Sequence, residues 1–209
     1  MTDNIEQVIF DVAEALLVPV LVLALLSLGA VVYELGAFLL ELRNRRRRDF
    51  SLLEQSVTSA AASLGTGDRA RAAGALNNVA WSGQMAQALS FMAANAGSRD
   101  SEPRIAKTLA DFDFRSLRRL ERTRLLVRAG PALGLMGTLI PLSPALAGLA
   151  NGNVDELSSN LRIAFSVTVL GLLVGAVAFG LSLARDRIYG QDLSDLQYVA
   201  ARLEGSTSR

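Results

Sequence analysis

The chain lacks cysteine and histidine altogether, and these absences exclude several kinds of functional site. Without cysteine there is no disulfide framework, no thiolate nucleophile and no zinc–cysteine site. Without histidine the commonest general base and metal ligand is also missing. Chemistry is left to carboxylates, hydroxyls, Lys, Arg and backbone groups, so most hydrolase and metalloenzyme classes are excluded. We expect a protein that is not an enzyme and that has no cofactor and no metal site.

Charge is nearly absent from three long stretches of a chain that is 20% charged overall. These stretches are 15–40, which only Glu34 interrupts, 129–150 and 163–184. A helix needs roughly 20 residues to cross a hydrocarbon core of ~30 Å, and each stretch is long enough. A chain of 209 residues is too short to bury three such helices on all sides. The sequence therefore predicts an all-α integral membrane protein with three transmembrane helices.

Basic residues are missing from 1–14, which contains four acids, whereas 43–128 contains 16 bases and 8 acids. Loops on the cytoplasmic side of a membrane carry an excess of Lys and Arg. This bias predicts that 41–128 and the C-terminal segment 185–209 are cytoplasmic. The N-terminus and the loop 151–162 then lie on the outer side of the membrane, which we expect to be the inner membrane of the cell.

An arginine cluster, consisting of Arg43 and residues 45–48, follows the first apolar stretch directly. Such a cluster is compatible with a nucleic-acid patch or with contact to lipid headgroups. Its position next to a span favours headgroups, and no aromatic residues alternate with the arginines to stack on bases. We expect a membrane lipid contact and no nucleic-acid partner.

The segments outside the membrane also have helical patterns. Ile5, Val8, Ile9 and Val12 give 1–14 an apolar face, which is typical of a helix on the outer membrane surface or against a neighbouring subunit. In the cytoplasmic part we expect helix breaks at 65–68 and 97–101, with Asp68 capping the next helix.

From Arg104 the sequence predicts one long helix that continues into the second span. After the third span a helical stripe runs from Leu193 to Leu203, and we expect the tail 205–209 to be disordered. We therefore expect the cytoplasmic region to be a helical bundle made from the ends of the spanning helices.

Small residues recur at helical spacing along one face of the second and third spans. They are Gly130, Gly134, Gly137, Pro141, Pro144 and Gly148 in the second span, and Ala164, Thr168, Gly171, Gly175, Ala178 and Ser182 in the third. Small residues at this period let helix backbones approach closely in lipid. Two interpretations stay open: packing within one subunit, or packing between subunits around a central pore that Thr138 and Thr168 face. The mid-span prolines 141 and 144 free backbone carbonyls, which favours a polar lumen.

Glu34 is the only ionisable residue inside an apolar stretch. It is either a functional intramembrane charge or a structural one that pairs with an arginine such as Arg43. The second and third stretches contain no ionisable residue. If protons cross along them, the titrating group has to come from a partner.

Two motifs carry a resemblance to a known family. The stretch 130–139, Gly-Pro-Ala-Leu-Gly-Leu-Met-Gly-Thr-Leu, resembles the P-x-x-G-L-L-G-T-V signature of the MotA/TolQ/ExbB proton-channel family. The stretch 164–172 is similar to that family's A-L-x-x-T-x-x-G-L pattern in the last span. The order of spans and loops also agrees, and the short cytoplasmic insert resembles the TolQ/ExbB size class. ExbB and TolQ carry a glutamate at the position of Ile163. This chain lacks that glutamate, and so do MotA-type members.

The resemblance implies a pentamer whose second and third spans line a lumen, while the first span faces lipid. The lumen would hold the single spanning helices of an ExbD/TolR/MotB-like partner dimer, whose aspartate carries the proton, and ion flow would power mechanical work. The pore-lining residues expected are Thr138, Thr168, Gly134, Gly137, Pro141, Ala164, Gly171, Gly175 and Ser182. The alternative is a non-conducting oligomeric membrane scaffold.

Overall fold

The computed structural model describes residues 2–45, 49–98 and 100–207, and this part of the chain contains seven α-helices and no strand. The predicted all-α class is therefore confirmed for the described residues. Residues 46–48 of the predicted arginine cluster lie outside them, as do the last two residues of the predicted disordered tail.

The helices follow one another with short connections. In chain order they are α1 Thr2–Ala15, α2 Leu17–Arg45, α3 Phe50–Gly65, α4 Arg69–Asn77, α5 Gly83–Asn95, α6 Ser101–Ala150 and α7 Val154–Thr207. Within the described ranges, three helical stretches are long and apolar enough to cross a membrane: Asn4–Arg45, Ser101–Ala150 and Val154–Gly205. The three predicted apolar helices are thus present.

Helix α6 begins at Ser101, three residues earlier than the sequence predicts, and it includes Pro103. Proline is tolerated in the first turn of a helix because the N–H groups there have no intrahelical partner. Three further prolines, at 131, 141 and 144, lie inside α6 without ending it. The predicted long helix into the second apolar stretch is confirmed.

The expectation of a disordered tail is wrong for residues 205–207, because α7 continues to Thr207. The apolar stripe of α7 explains this difference, since Leu196, Val199 and Leu203 are buried close to the helix end. At its other end α7 begins at Val154, directly after the turn 151–153, where Gly152 has a φ of 75°.

The described chain divides into two compact units, each discontinuous in sequence. The first, here called the apolar unit, comprises Met1–Ala37 and Glu121–Leu183. In its part of α2 only one narrow stripe is buried, formed by Val20, Ala24, Ser27 and Val31. Large apolar side chains such as Leu25 and Leu26 are exposed around the rest of α2. A helix with one buried stripe and an apolar remainder suits a lipid surrounding.

The second unit, here called the polar unit, comprises Phe38–Leu120 and Ala184–Arg209. Its core combines α3, α4 and α5 with the parts of α6 and α7 that belong to this unit. The largest buried side chains of this core are Leu53, Leu76, Met85, Leu89, Met92, Ile105, Leu196 and Leu203.

Side-chain caps start the three short helices of the polar unit. Asp49 accepts a hydrogen bond from the Ser51 N–H and begins α3, and Ser82 accepts one from the Met85 N–H and begins α5. Asp68 caps α4 by accepting from the Arg71 N–H at 2.9 Å, which confirms the predicted cap. The break between α4 and α5 was not foreseen from the sequence, although a serine cap followed by glycine is a recognisable signal for it.

Candidate functional site

Helices α6 and α7 pack against each other within the apolar unit through their glycine faces. A Cβ added to Gly130 would lie 2.7 Å from the carbonyl oxygen of Gly171 and 2.9 Å from the amide nitrogen of Gly175. A Cβ on Gly171 would overlap the Gly130 carbonyl oxygen and lie 2.8 Å from the Cα of Gly134. Real Cβ atoms do not come this close to backbone, so only glycine permits this approach of the two helices.

Two neighbouring glycines extend the contact in both directions. Gly137 faces Val167, whose side chain occupies the space that a Cβ would need. Gly175 faces Pro131, and a Cβ there would lie 2.8 Å from the proline Cγ and 3.5 Å from the carbonyl oxygen of Val127. Pro131 has no N–H to donate to that carbonyl, so α7 covers a backbone group that α6 leaves without its helical partner.

Thr168 lies at this contact and joins the two helices. Its hydroxyl is 3.0 Å from the Ala164 carbonyl oxygen of its own helix and 3.3 Å from the Gly134 carbonyl oxygen of α6. Both oxygens are acceptors for the one hydroxyl hydrogen, and Thr168 is half-buried. The oxygen of the hydroxyl keeps its own capacity to accept a hydrogen bond.

The structure brings together most of the residues that the sequence singled out. Gly134, Gly137, Pro141, Ala164, Gly171, Gly175 and Ser182 are buried in the single chain. The Ser182 hydroxyl donates to the Phe179 carbonyl oxygen at 2.9 Å. Thr138 is half-buried and donates to the Leu135 carbonyl oxygen at 2.7 Å. The small-residue stripes of α6 and α7 therefore pack against each other within one chain. That these residues also line a lumen between chains stays a prediction.

The faces of α6 and α7 that point away from this contact are apolar and exposed. On α7 they carry Phe165, Val169, Leu172 and Phe179, and on α6 they carry Leu135, Leu139 and Leu146. Such faces need lipid or another subunit to cover them. Glu34, the lone ionisable residue of the first stretch, is half-buried and takes part in a polar or electrostatic interaction within the chain.

The polar unit contains a charged cluster that joins three helices. The Glu41 carboxylate of α2 lies 3.3 Å from the Arg119 guanidinium of α6 and 3.8 Å from the Arg185 guanidinium of α7. The Tyr189 hydroxyl donates to Glu41 at 3.2 Å. Burial, together with the Glu41 charge, raises the pKa of Tyr189 to about 12, so the phenol keeps the proton that it donates. Arg185 is fully buried in this cluster.

Arg45 forms a second connection between α2 and α7 in the polar unit. Its guanidinium lies 2.7 Å from the Asp192 carboxylate, and both side chains are only 9% exposed. The same guanidinium donates to the Ile188 carbonyl oxygen at 2.9 Å and to the Gln191 side chain at 3.1 Å. It also lies 5.8 Å from the centre of the Trp81 ring, within the range of a cation–π contact.

Sequence reasoning missed both of these polar contacts. A signal was present, because Glu41 and Arg45 are four residues apart on α2, and Arg185 and Asp192 are seven apart on α7. Charges at these spacings share one helix face. Each pair directly follows an apolar stretch. An arginine in that position is easily interpreted as a contact to lipid headgroups, and a partner within the protein is then overlooked.

Comparison with known proteins agrees with this architecture. The fold defines a membrane protein with three apolar helices and a close glycine contact between two of them. The family model of the MotA/TolQ/ExbB proton channel family matches residues 76–186, which cover more than half of the chain and contain the glycine contact between α6 and α7. The protein therefore belongs to the MotA/TolQ/ExbB proton channel family. Searches of curated proteins and of solved structures found no match.

Membership has direct consequences. The family consists of channel and energy-transducing subunits and not of enzymes, and its members act in complexes with partner proteins. The resemblance predicted from the two motifs is thereby confirmed.

Proposed function

We propose that this chain is the pore-forming subunit of a complex that converts a proton gradient, or another ion gradient, into mechanical work. The observation that supports this most is the family match together with the composition of α6 and α7. Neither 129–150 nor 163–184 contains an ionisable residue, so the chain offers hydroxyls and backbone groups along these stretches but no proton carrier. A carboxylate supplied by a partner helix completes the pathway.

The assembly that we propose is a homopentamer around the spanning helices of an ExbD/TolR/MotB-like partner dimer. The number five and the partner class come from the family. The α6–α7 hairpin supports this arrangement, because the glycine contact makes it a closely packed pair whose outer faces are free for other subunits. In the proposed pentamer the hydroxyls of Thr138 and Thr168 face the lumen, and α2 faces lipid.

We further propose that the polar unit and the C-terminus are cytoplasmic in an inner membrane, and that the N-terminus is outside. The excess of basic residues in 43–128 supports this orientation, since such residues are retained on the cytoplasmic side. The acidic segment 1–14 and the turn after α6 then lie on the opposite side.

A reporter inserted near Gly67 or fused after Arg209 is therefore expected to show a cytoplasmic location. The same reporter at the N-terminus should show the outside. Gly67 suits an insertion because it lies in the exposed turn between α3 and α4. Alkaline phosphatase fusions report an outside location, and fluorescent protein fusions at the same positions report a cytoplasmic one. Phosphatase activity from the Gly67 insertion would contradict the proposed orientation.

Ion flux tests the proposed function. The purified chain is reconstituted into liposomes with and without its single-span partner, and dye-monitored proton uptake is compared at the same membrane potential. We expect flux only when the partner is present and only while that partner keeps its intramembrane carboxylate. Absence of flux from a complete complex, for protons and for sodium, would contradict the proposal.

Thr168→Val is expected to reduce this flux, because it keeps the side-chain volume but removes the hydroxyl. Loss of one hydrogen-bonding group in a dry site costs roughly 1–3 kcal/mol, or about five- to 150-fold in an equilibrium. Thr168→Ser keeps the hydroxyl and should be milder, and Thr138→Val should have a smaller effect because Thr138 lies at the edge of its stripe. The assay is the liposome flux above, with oligomer mass measured in parallel. Unchanged flux through normally assembled Thr168→Val would remove Thr168 from the pathway.

A second candidate function is a non-conducting oligomeric scaffold, and one observation favours it. The Thr168 hydroxyl already has two carbonyl acceptors inside its own chain, so a role in joining α6 to α7 accounts for it without a lumen. For the scaffold, Thr168→Val changes stability alone and the wild-type complex conducts no ions. The flux experiments above distinguish the two functions.

A further inference from the structure

The polar unit contains a groove of about 460 Å³ between α5 and α6. Its lining includes Ala88 and Phe91 from α5 and Phe112 from α6. Ala88 and Phe112 are buried and belong to the core, whereas Phe91 is 41% exposed. The groove therefore presents an apolar surface that continues the core of the unit outwards.

Basic side chains from α6 line the same groove, namely Arg104, Lys107 and Arg115. Lys107 forms an ion pair with Asp111, one turn further along α6. Arg104 donates to the neutral Asn95 side chain at 2.8 Å, and Arg115 donates to the backbone carbonyl of Asp111 at 3.2 Å. Within the described ranges neither Arg104 nor Arg115 has a carboxylate at ion-pair distance, so the groove has two uncompensated positive charges.

The spacing of these two charges indicates the size of the ligand. Arg104 and Arg115 are eleven residues apart on one helix, which corresponds to about 16 Å at a rise of 1.5 Å per residue. Because their Cα atoms are about 16 Å apart, the two side chains contact one small anion only if both extend towards each other along the helix. An extended ligand with an acidic group at each end and apolar groups between them contacts both arginines and the surface around Phe91.

We propose that this groove binds an acidic amphipathic helix of a partner protein. The helix would place leucine or aromatic side chains against Phe91 and Phe112, as helices do in apolar grooves. Its carboxylates would pair with Arg104 and Arg115, since arginine forms strong charge-assisted hydrogen bonds with carboxylates. This binding site is independent of ion conduction, so its test does not depend on the proposed function.

The test measures binding of a defined peptide to the full-length chain in detergent by fluorescence anisotropy. The probe is a labelled helical peptide of about 15 residues, with two glutamates eleven residues apart and leucines on the same face between them. We expect binding to the wild type, and at least about tenfold weaker binding to Arg104→Glu/Arg115→Glu. A lysine version of the peptide should bind this variant better than it binds the wild type.

The matched control is Arg69→Glu/Arg71→Glu, which changes the charge by the same amount on α4, where both arginines are exposed and outside the groove. This variant should bind the glutamate peptide as the wild type does, whereas Phe91→Ser should bind it more weakly. Equal affinity of the wild type and the Arg104/Arg115 variant would overturn the proposal. An equal loss of affinity in the α4 control would also overturn it, and so would displacement of the peptide by glycerol phosphate at constant ionic strength.

Discussion

Gly171→Ala is expected to disrupt the packing of α6 against α7 and to prevent normal assembly of the complex. The added Cβ would overlap the Gly130 carbonyl oxygen and approach the backbone of Gly134. These atoms are backbone and not the ends of flexible side chains, so no change of rotamer relieves the overlap and the helices have to separate. We expect a loss of about 3 kcal/mol or more, at the upper end of what overpacking costs.

Gly180→Ala is the matched control for this substitution. Gly180 lies on the same helix, but an added Cβ there has nothing within 4 Å. Alanine costs less backbone entropy than glycine in a helix, so this variant should be unchanged or more stable by about 0.5–1 kcal/mol. Thermal unfolding in detergent measures stability, and native mass spectrometry measures the oligomer. Equal unfolding temperatures for the two variants would show that α6 and α7 do not meet at Gly171.

Arg45→Ala is expected to destabilise the polar unit by about 3–5 kcal/mol, the usual effect of removing one partner from a buried ion pair. The substitution takes away the guanidinium that lies 2.7 Å from the buried Asp192 carboxylate. It also removes the hydrogen bonds to Ile188 and Gln191 and the contact with Trp81. Chemical unfolding in detergent, followed by tryptophan fluorescence, measures the change because Trp81 is the only tryptophan.

Two control variants separate the ion pair from other effects. Arg43→Ala removes an arginine on the same helix that is exposed, and it should change stability by less than about 0.5 kcal/mol. Arg45→Met/Asp192→Leu removes both charges and should recover much of the loss, since apolar pairs of similar size replace buried ion pairs well. If Arg45→Ala and Arg43→Ala are equally stable, the buried pair does not support the fold.

The helices were predictable because their signals are local. An apolar stretch long enough to cross a membrane identifies α2, α6 and α7, and an aspartate before a helical pattern identifies the cap of α4. The stretch from Pro131 to Pro144 was also predicted to continue as helix, since membrane helices tolerate proline.

The partners of each helix face were less predictable. Helical spacing showed that Gly130, Gly134 and Gly137 share a face with a close neighbour, but spacing alone left open whether that neighbour is in the same chain. In the structure this neighbour is α7 of the same chain. Likewise, Arg45 and Asp192 are far apart in sequence, so their pairing depends on how α2 and α7 come together, which no local pattern encodes.

In the proposed assembly, copies of this chain form a ring around the spanning helices of a partner. Single-particle imaging of the purified complex, viewed along the membrane normal, tests it most directly. We expect five copies of the chain, with α6 and α7 nearest the axis, α2 outermost, and density for partner helices in the centre. A complex with α2 at the axis, or one whose subunits enclose no lumen, would rule out this assembly.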